Sequence, residues 1–257
     1  MVVSLAATEY GEGEPVAILH GLFGSGRNWA TIAQRLAANH RVIAFDLRNH
    51  GASPWAETMG YAEMAEDVRA AMRARGHHRY ALIGHSMGGK VAMVAALSEP
   101  NAVARLVVVD IAPVAYPVPF LPYVRAMGAL DLGAINRRGE ADAVLSDAIR
   151  DRAERQFLLQ NLLFVDGRPR WRLNLAALEA ALPVLAGFPS FPPDTRYDGP
   201  ALFIAGGKSA AVRPRHEPAI RTLFPRAELA RIDDAGHWLH AERPEAFLVL
   251  IEPFLRG

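Results

Sequence analysis

The sequence predicts an α/β fold in which a mostly parallel sheet carries helices on both faces and an inserted helical cap interrupts the strand–helix series. Three observations lead there. Short apolar runs alternate with amphipathic helical runs over the first two-fifths of the chain. That rhythm stops at a proline cluster near Pro113 and resumes after a second cluster ending at Pro200. The 257 residues are 51% hydrophobic, and a chain of that length buries roughly three quarters of the surface it would expose unfolded. Alternation of this kind is the signature of parallel strands joined by right-handed helical crossovers.

The elements follow in order. Val16–Leu19 is a compact apolar strand ending at His20-Gly21. Asn28–Ala38 reads as a helix with Trp29, Ile32, Ala33 and Leu36 on one face. Arg41–Phe45 is a strand. Tyr61–Arg75 is a helix, with Met64, Val68, Ala71 and Met72 at helical spacing. Tyr80–Gly84 is a strand, Met87–Leu97 a helix, and Leu106–Val109 a strand of β-formers. Pro113, Pro117, Pro119 and Pro122 then break regularity, helical patches run to about Leu185, and Pro189, Pro192, Pro193 and Pro200 close the stretch. Residues 113–196 are therefore read as the cap, and residues 1–112 with 197–257 as the core. In the core, Ala201–Ala205 and Glu228–Ile232 are strands, while Pro214–Phe224 and Pro244–Leu255 are helices.

Composition excludes several chemistries. There is no cysteine, which removes disulfides, thiolate metal sites and a cysteine nucleophile together. Lys and Arg number 28 against 27 Asp and Glu, and the arginines are scattered among acids, so no nucleic-acid footprint is expected. Apolar runs such as Val91–Leu97 fall far short of the roughly 18 residues of a membrane span. The first residues lack a basic, signal-like start. No membrane partner and a cytoplasmic location are the expectations.

In a parallel sheet, sites form where strands end. After Tyr80–Ile83 comes Gly84-His85-Ser86-Met87-Gly88, which fits G-x-S-x-G between strand and helix, the nucleophile elbow. Side chains at positions 84 and 88 would collide with neighbouring elements, and the helix from Met87 aims free N–H groups at Ser86. A glycine-rich turn with a serine cap is the plain alternative. After Val16–Leu19 comes His20-Gly21-Leu22-Phe23-Gly24, where the Leu22 amide, paired with that of Met87, would receive an oxyanion. His20 is read as a buried hydrogen-bonding residue of that loop.

Among nine histidines, His237 combines a late chain position, a strand's carboxyl end and a glycine-led loop, and is the expected base. His77, His78 and His216 are read as solvated surface, and His40, His50 and His240 lack the right position. The loop after Ala201–Ala205, where the acid of this arrangement commonly stands, reads Gly-Gly-Lys-Ser and holds no carboxylate. Asp110, at the end of Leu106–Val109, is the best-placed acid. Asp46 precedes the serine and is read as tying its own turn, and Asp233 and Asp234 lie near His237 only in sequence.

With these residues in place, the chain resembles the α/β-hydrolase superfamily over nearly its whole length. More narrowly, it is similar to the YbfF-type bacterial esterases and their mitochondrial abhydrolase relatives. The matching segments are HGLFGS at 20–25, DLRNHGASP at 46–54, GHSMGGKVAM at 84–93, VVDIAPV at 108–114, FVDGRPRWRLN at 164–174 and GHWLHAERPEAF at 236–247. The resemblance implies Ser86 as nucleophile, His237 as base, Asp110 as the displaced acid, and Leu22 and Met87 as oxyanion amides. It implies no metal or organic cofactor, and hydrolysis of short-acyl esters or some acyl thioesters. A monomer or small homo-oligomer acting on a small molecule is expected.

For substrate contact the candidates are Phe23, His85, Phe120, Tyr123 and Trp238, with Leu121, Phe157, Leu162 and Phe164 as further apolar cap residues. Each cap residue has packing within the cap as its plain alternative. Lys90 and Arg48 are read as salt-bridged or solvated, with contact to an acidic substrate group as the sharper reading. Perhydrolase, haloperoxidase-like or C–C bond-cleaving activity would use the same triad, and a hydrolase-fold small-molecule receptor would use none of it.

Overall fold

The computed structural model describes residues 1–117 and 120–257; Pro119, one of the first proline cluster, lies outside them. The chain runs β1 (Ala7–Tyr10), β2 (Glu14–Leu19), α1 (Ala30–Leu36), β3 (His40–Phe45), α2 (Tyr61–Ala74), β4 (Tyr80–His85), α3 (Met87–Ser98) and β5 (Val103–Val109). Next come α4 (Leu121–Gly128), α5 (Arg138–Leu145), α6 (Arg152–Leu159), β6 (Leu162–Val165), β7 (Arg168–Trp171) and α7 (Leu175–Ala186). It closes with β8 (Ala201–Gly206), α8 (Glu217–Leu223), β9 (Ala227–Ile232), α9 (Leu239–Glu242) and α10 (Pro244–Arg256).

Seven strands form one sheet in the order β1-β3-β2-β4-β5-β8-β9. All pairs are parallel except β1–β3. The parallel strands are apolar on both sides because both faces are covered. On one face α1, α9 and α10 pack over Val16, Ile18, Ile83, Val107 and Ile204. On the other, α2, α3 and α8 pack over Ala17, Leu19, Leu82, Leu106 and Phe203. Helix α3 is buried along almost its whole length, which explains its lack of a polar face.

The expected strands and helices are present, mostly within one or two residues. Two expected helices open with a tighter 3₁₀ turn: Asn28–Ala38, at Gly26–Trp29, and Pro214–Phe224, at Pro214–His216. Two features were not anticipated. Strand β1 is half exposed, lies at the sheet edge, and has no apolar run to mark it. The segment between β5 and β8 is not purely helical: β6 and β7 pair antiparallel, Leu162 with Trp171 through Val165 with Arg168. Asp166 and Gly167, both at positive φ, make the two-residue turn between them. In the same segment α4 packs on α7 and α5 on α6, and its apolar residues join the core beneath. Among the described residues, no helix is long and apolar enough to cross a membrane.

Candidate active site

Strand β4 ends at His85, and Ser86 then takes φ +51° and ψ −117° before α3 begins. That conformation is costly for a residue with a side chain and persists only where the surroundings over-determine it. Here they do. The Ser86 amide donates to the Val109 carbonyl at 3.0 Å, and the Lys90 amide donates to the Ser86 carbonyl at 3.1 Å. A Cβ on Gly84 would lie 2.2 Å from the Gly88 carbonyl oxygen, and one on Gly88 would lie 2.5 Å from that of His20. The collisions expected from the sequence are those of backbone against backbone, which no rotamer change relieves.

Asp110 stands at the end of β5, the neighbour of β4, also at positive φ (+50°). Its side chain is fully buried. Oδ1 accepts from the Gly206 amide at 2.9 Å, and Oδ2 accepts from the Ser209 hydroxyl and lies 2.6 Å from Nδ1 of His237. The carboxylate therefore has three hydrogen-bond donors. The His237 ring is one-third exposed and, like Ser86, borders the two cavities described below. Ser209 occupies the loop after β8 where a carboxylate was missing from the sequence, and its hydroxyl reaches across to Asp110. Asp233 and Asp234 face outward in ion pairs with Arg231 and Arg243. Asp46 binds the Gly26 and Ala52 amides, tying its own turn.

The loop after β2 is held by two histidines. His20 Nδ1 donates to the Gly21 carbonyl at 2.7 Å, and its Nε2 accepts from the Leu47 amide at 2.9 Å. His50 Nδ1 donates to the Arg48 carbonyl, and its Nε2 accepts from the Phe23 amide. Each ring serves as donor and acceptor at once, which requires the neutral form. Burial enforces it, lowering His20 to about 4 and His50 to about 3. Asn161 adds a hydrogen bond from Nδ2 to the Phe23 carbonyl at 2.8 Å. This leaves the Leu22 amide with no acceptor among the described residues. The Met87 amide heads α3, where an N–H has no preceding turn to bond.

His85 is buried and donates from Nε2 to the His237 carbonyl at 2.8 Å. Burial, then the neighbouring His237 and His240 rings, hold its pKa well below the usual histidine value. Its ring therefore braces the His237 backbone from below. His240 is stacked on Trp29, with centroids 4.0 Å apart, and burial lowers it to about 3. The part played by His50, Asn161 and His240 was not read from the sequence. His216, expected at the surface, is buried against Tyr116 instead. Pro214 starts a 3₁₀ turn that folds the ring inward.

Two cavities meet at Ser86. The smaller, about 210 Å³, is bordered by all five candidate contact residues, Phe23, His85, Phe120, Tyr123 and Trp238, and by Phe157. Phe23 meets Phe120 edge-on, Phe157 packs on Trp238, and the Tyr123 hydroxyl donates to Glu154 at 2.7 Å. Leu121, Leu162 and Phe164 pack into the apolar core instead. The larger cavity, about 540 Å³, runs from Ser86 along α3 past Lys90. Arg48 is structural: it forms a buried two-point pair with Asp67 at 2.6 and 2.8 Å. Lys90 is neither salt-bridged nor solvated, contrary to expectation. It is buried, and its Nζ donates to the Ala186 and Gly187 carbonyls at the end of α7. Among the described residues, no group of three His, Asp or Glu side chains converges as a metal site requires.

A strand–elbow–helix with a buried aspartate hydrogen-bonded to a histidine beside it defines a class, and comparison with known proteins gives the same one. Residues 14–244 match the family model described as alpha/beta hydrolase fold, and the chain belongs to that family. It is 41% identical over 254 residues to the sn-1-specific diacylglycerol lipase ABHD11 of Danio rerio, covering 96% of this chain and 80% of that one. It is 37% identical to esterase YbfF of Escherichia coli, covering 94% and 92% respectively. A solved structure titled marine microorganism esterase superposes with a TM-score of 0.95 at 37% identity, over 98% of this chain and all of that one.

Proposed function

We infer that the chain is a carboxylesterase-type serine hydrolase that cleaves esters of small or short-acyl substrates, acyl thioesters included, through an acyl-enzyme on Ser86. The observation that carries this reading is the Asp110–His237 contact at 2.6 Å beside a strained serine, with Ser86 and His237 opening onto the same two cavities. The relatives named as esterases and lipases support it.

In this mechanism the Ser86 hydroxyl attacks the ester carbonyl while His237 Nε2 takes its proton. Asp110 holds the Nδ1–H tautomer and stabilises the imidazolium. The oxyanion sits on the Leu22 and Met87 amides, a donor pair of the kind commonly worth ~10²–10³ in rate per donor. His237 returns the proton to the leaving alcohol, and water then repeats the sequence on the acyl-enzyme. Residues 113–196 act as a cap over the core of residues 1–112 and 197–257, closing the site with Phe120, Tyr123 and Phe157. The chain acts without a cofactor, in the cytoplasm, as a monomer or small homo-oligomer.

The test is a serine-directed fluorophosphonate probe together with an acyl-ester series. Labelling of the wild-type chain, its loss in Ser86→Ala, and a drop in kcat of roughly 10⁴–10⁶ in that variant are expected. An unlabelled wild-type chain without ester turnover would make it a binding protein on a hydrolase fold.

A further inference from the structure

The smaller of the two cavities at Ser86 is walled by aromatic side chains and one carboxylate. Phe23 and Trp238 come from the loops after β2 and β9, Phe120 and Tyr123 from the start of α4, and Glu154 and Phe157 from α6. Residues three apart on a helix share a face, so one turn of each helix supplies two of these side chains. The rings support one another: centroids lie 5.7 Å apart for Phe23 and Phe120, 6.1 Å for Phe120 and Tyr123, and 5.5 Å for Phe157 and Trp238.

Glu154 carries an uncompensated charge in this wall. No lysine or arginine borders the cavity, and Glu154 is the only carboxylate residue that does so. Its Oε2 accepts from the Tyr123 hydroxyl at 2.7 Å, and a phenol donor leaves the charge in place. Arg155, its neighbour on α6, is paired with Asp142 instead. Glu154 therefore has no cation partner among the described residues, although it is half-buried. His20, His85 and His240 also border the cavity, and burial keeps all three rings neutral, so none of them offsets the carboxylate.

We propose that this cavity binds a small cationic alcohol, an alkylammonium of the choline type, and that the substrates of the Ser86 site include short-acyl esters of such alcohols. The inference rests on the serine hydrolase reading above. Aromatic rings attract a cation within about 6 Å of their centroids, and a quaternary ammonium suits them because it has no N–H to satisfy. A half-buried carboxylate adds an attraction that salt screens less than at the open surface. The volume of about 210 Å³ lies below the roughly 300–1,000 Å³ of pockets for drug-sized ligands, so the occupant is a small head group.

The two cavities differ in a way that orients such an ester. Lys90 and Arg215 border the larger one, with no carboxylate residue, so a cation is disfavoured there. Trp238 and His240 flank the base and border the smaller one only. The cationic alcohol thus lies on the side of the His237 loop, and the acyl group points the other way. Ser86 Oγ bonds to the acyl carbon, the bond from that carbon to the alcohol oxygen breaks, and the alcohol leaves with the proton held by His237. Water then releases the acid from Ser86 and restores its hydroxyl.

The experiment compares acetylcholine with 3,3-dimethylbutyl acetate, its neutral carbon counterpart, following acid release by titration at constant ionic strength. The expected ratio of kcat/KM, cation over neutral ester, is about tenfold or more. In Glu154→Gln, which keeps the shape and an acceptor for Tyr123, that ratio should fall at least fivefold. The neutral ester is the reference within each variant, so a general loss of activity does not move the ratio. A wild-type ratio near or below one overturns the proposal and leaves the esterase reading in place, and so does a ratio unchanged in Glu154→Gln. If that variant does not fold, inhibition of the wild-type chain decides. Tetramethylammonium chloride should compete with the neutral ester where sodium chloride at equal ionic strength does not, and equal effects of the two salts overturn the proposal. No turnover of either ester, with no fluorophosphonate labelling, removes both readings.

Discussion

Asp110 and His237 stand 127 residues apart in sequence and 2.6 Å apart in space, Oδ2 against Nδ1. Strand β5 delivers the aspartate to a buried point where the Gly206 amide and the Ser209 hydroxyl also converge on it. Asp110→Asn keeps the shape and removes the charge. The amide can present its NH₂ to Nδ1 and so select the wrong imidazole tautomer. The expected loss is on the order of 10⁴ in kcat, with unchanged circular dichroism. Steady-state kinetics on one short-acyl ester measures it; a mild effect there, with inactive Asp233 or Asp234 variants, would move the acid elsewhere.

Ser209 bonds to Asp110, not to His237. Removing its hydroxyl in Ser209→Ala takes one of three donors from the carboxylate. The charge stays, so the loss should be far smaller than for Asp110→Asn, roughly a factor of ten. It should fall on kcat with KM little changed, because the group acts through Asp110. A KM-dominated effect would make Ser209 a substrate contact.

Gly88→Ala tests the elbow. The added methyl would meet the His20 and Leu19 carbonyl oxygens at 2.5 and 2.6 Å, both backbone. The expected cost is about 3 kcal/mol or more. For a chain of this size that lowers Tm by roughly 6–12 °C, which scanning calorimetry resolves.

The pair Arg48–Asp67 is almost fully enclosed. Arg48→Met leaves the Asp67 charge buried alone and should cost about 3–5 kcal/mol. Adding Asp67→Leu removes that stranded charge and should restore part of the loss, even though the Val3 amide then loses its acceptor. Urea unfolding of the single and double variants separates the two; a double variant no more stable than the single would show that the charge was not the cause.

Acid should unfold this protein early. His20, His50, His85 and His240 are all held below the usual histidine pKa of 6.5, with burial the largest cause in each case. A depressed histidine pKa means that the unfolded chain binds more protons below about pH 6.5. Stability is thus fully present above that pH and is lost as pH falls toward about 4 for His20 and about 3 for His50 and His240. Each contributes a slope of up to about 1.4 kcal/mol per pH unit. Urea midpoints at pH 7.5, 6 and 5 should fall steadily, and a flat profile would contradict the buried neutral assignment.

Much of this was legible beforehand because it is local. The elbow glycines, the strand ends and the order of serine, aspartate and histidine are constraints written within a few residues of each site. What escaped depends on contacts between distant segments. Strand β1 is recognisable only from its partner, since Ala7–Tyr10 alternates without an apolar run. The β6–β7 hairpin hides behind arginines that face water, Arg168 and Arg170. Lys90 looked like a surface or ion-paired lysine because its acceptors are the last carbonyls of α7, 96 and 97 residues away. Asn161 reaches Phe23 across 138 residues, and nothing near either one announces it.

Ser86 and Asp110 end neighbouring strands whose ladder pairs Gly84 with Val108 and His85 with Val109. The distance between them is therefore set by main-chain hydrogen bonds, joined by a single crossover helix, and both are encoded before the long excursion between β5 and β8 begins. The ladder that spaces them does not run through that excursion. Replacing the excursion removes Asn161 from the Phe23 carbonyl and the Ala186 and Gly187 carbonyls from Lys90, so the loop after β2 and helix α3 lose those supports. If the segment acts as the proposed cap, a library of replacements between β5 and β8 is expected to vary substrate choice against a serine–aspartate spacing held by the β4–β5 ladder.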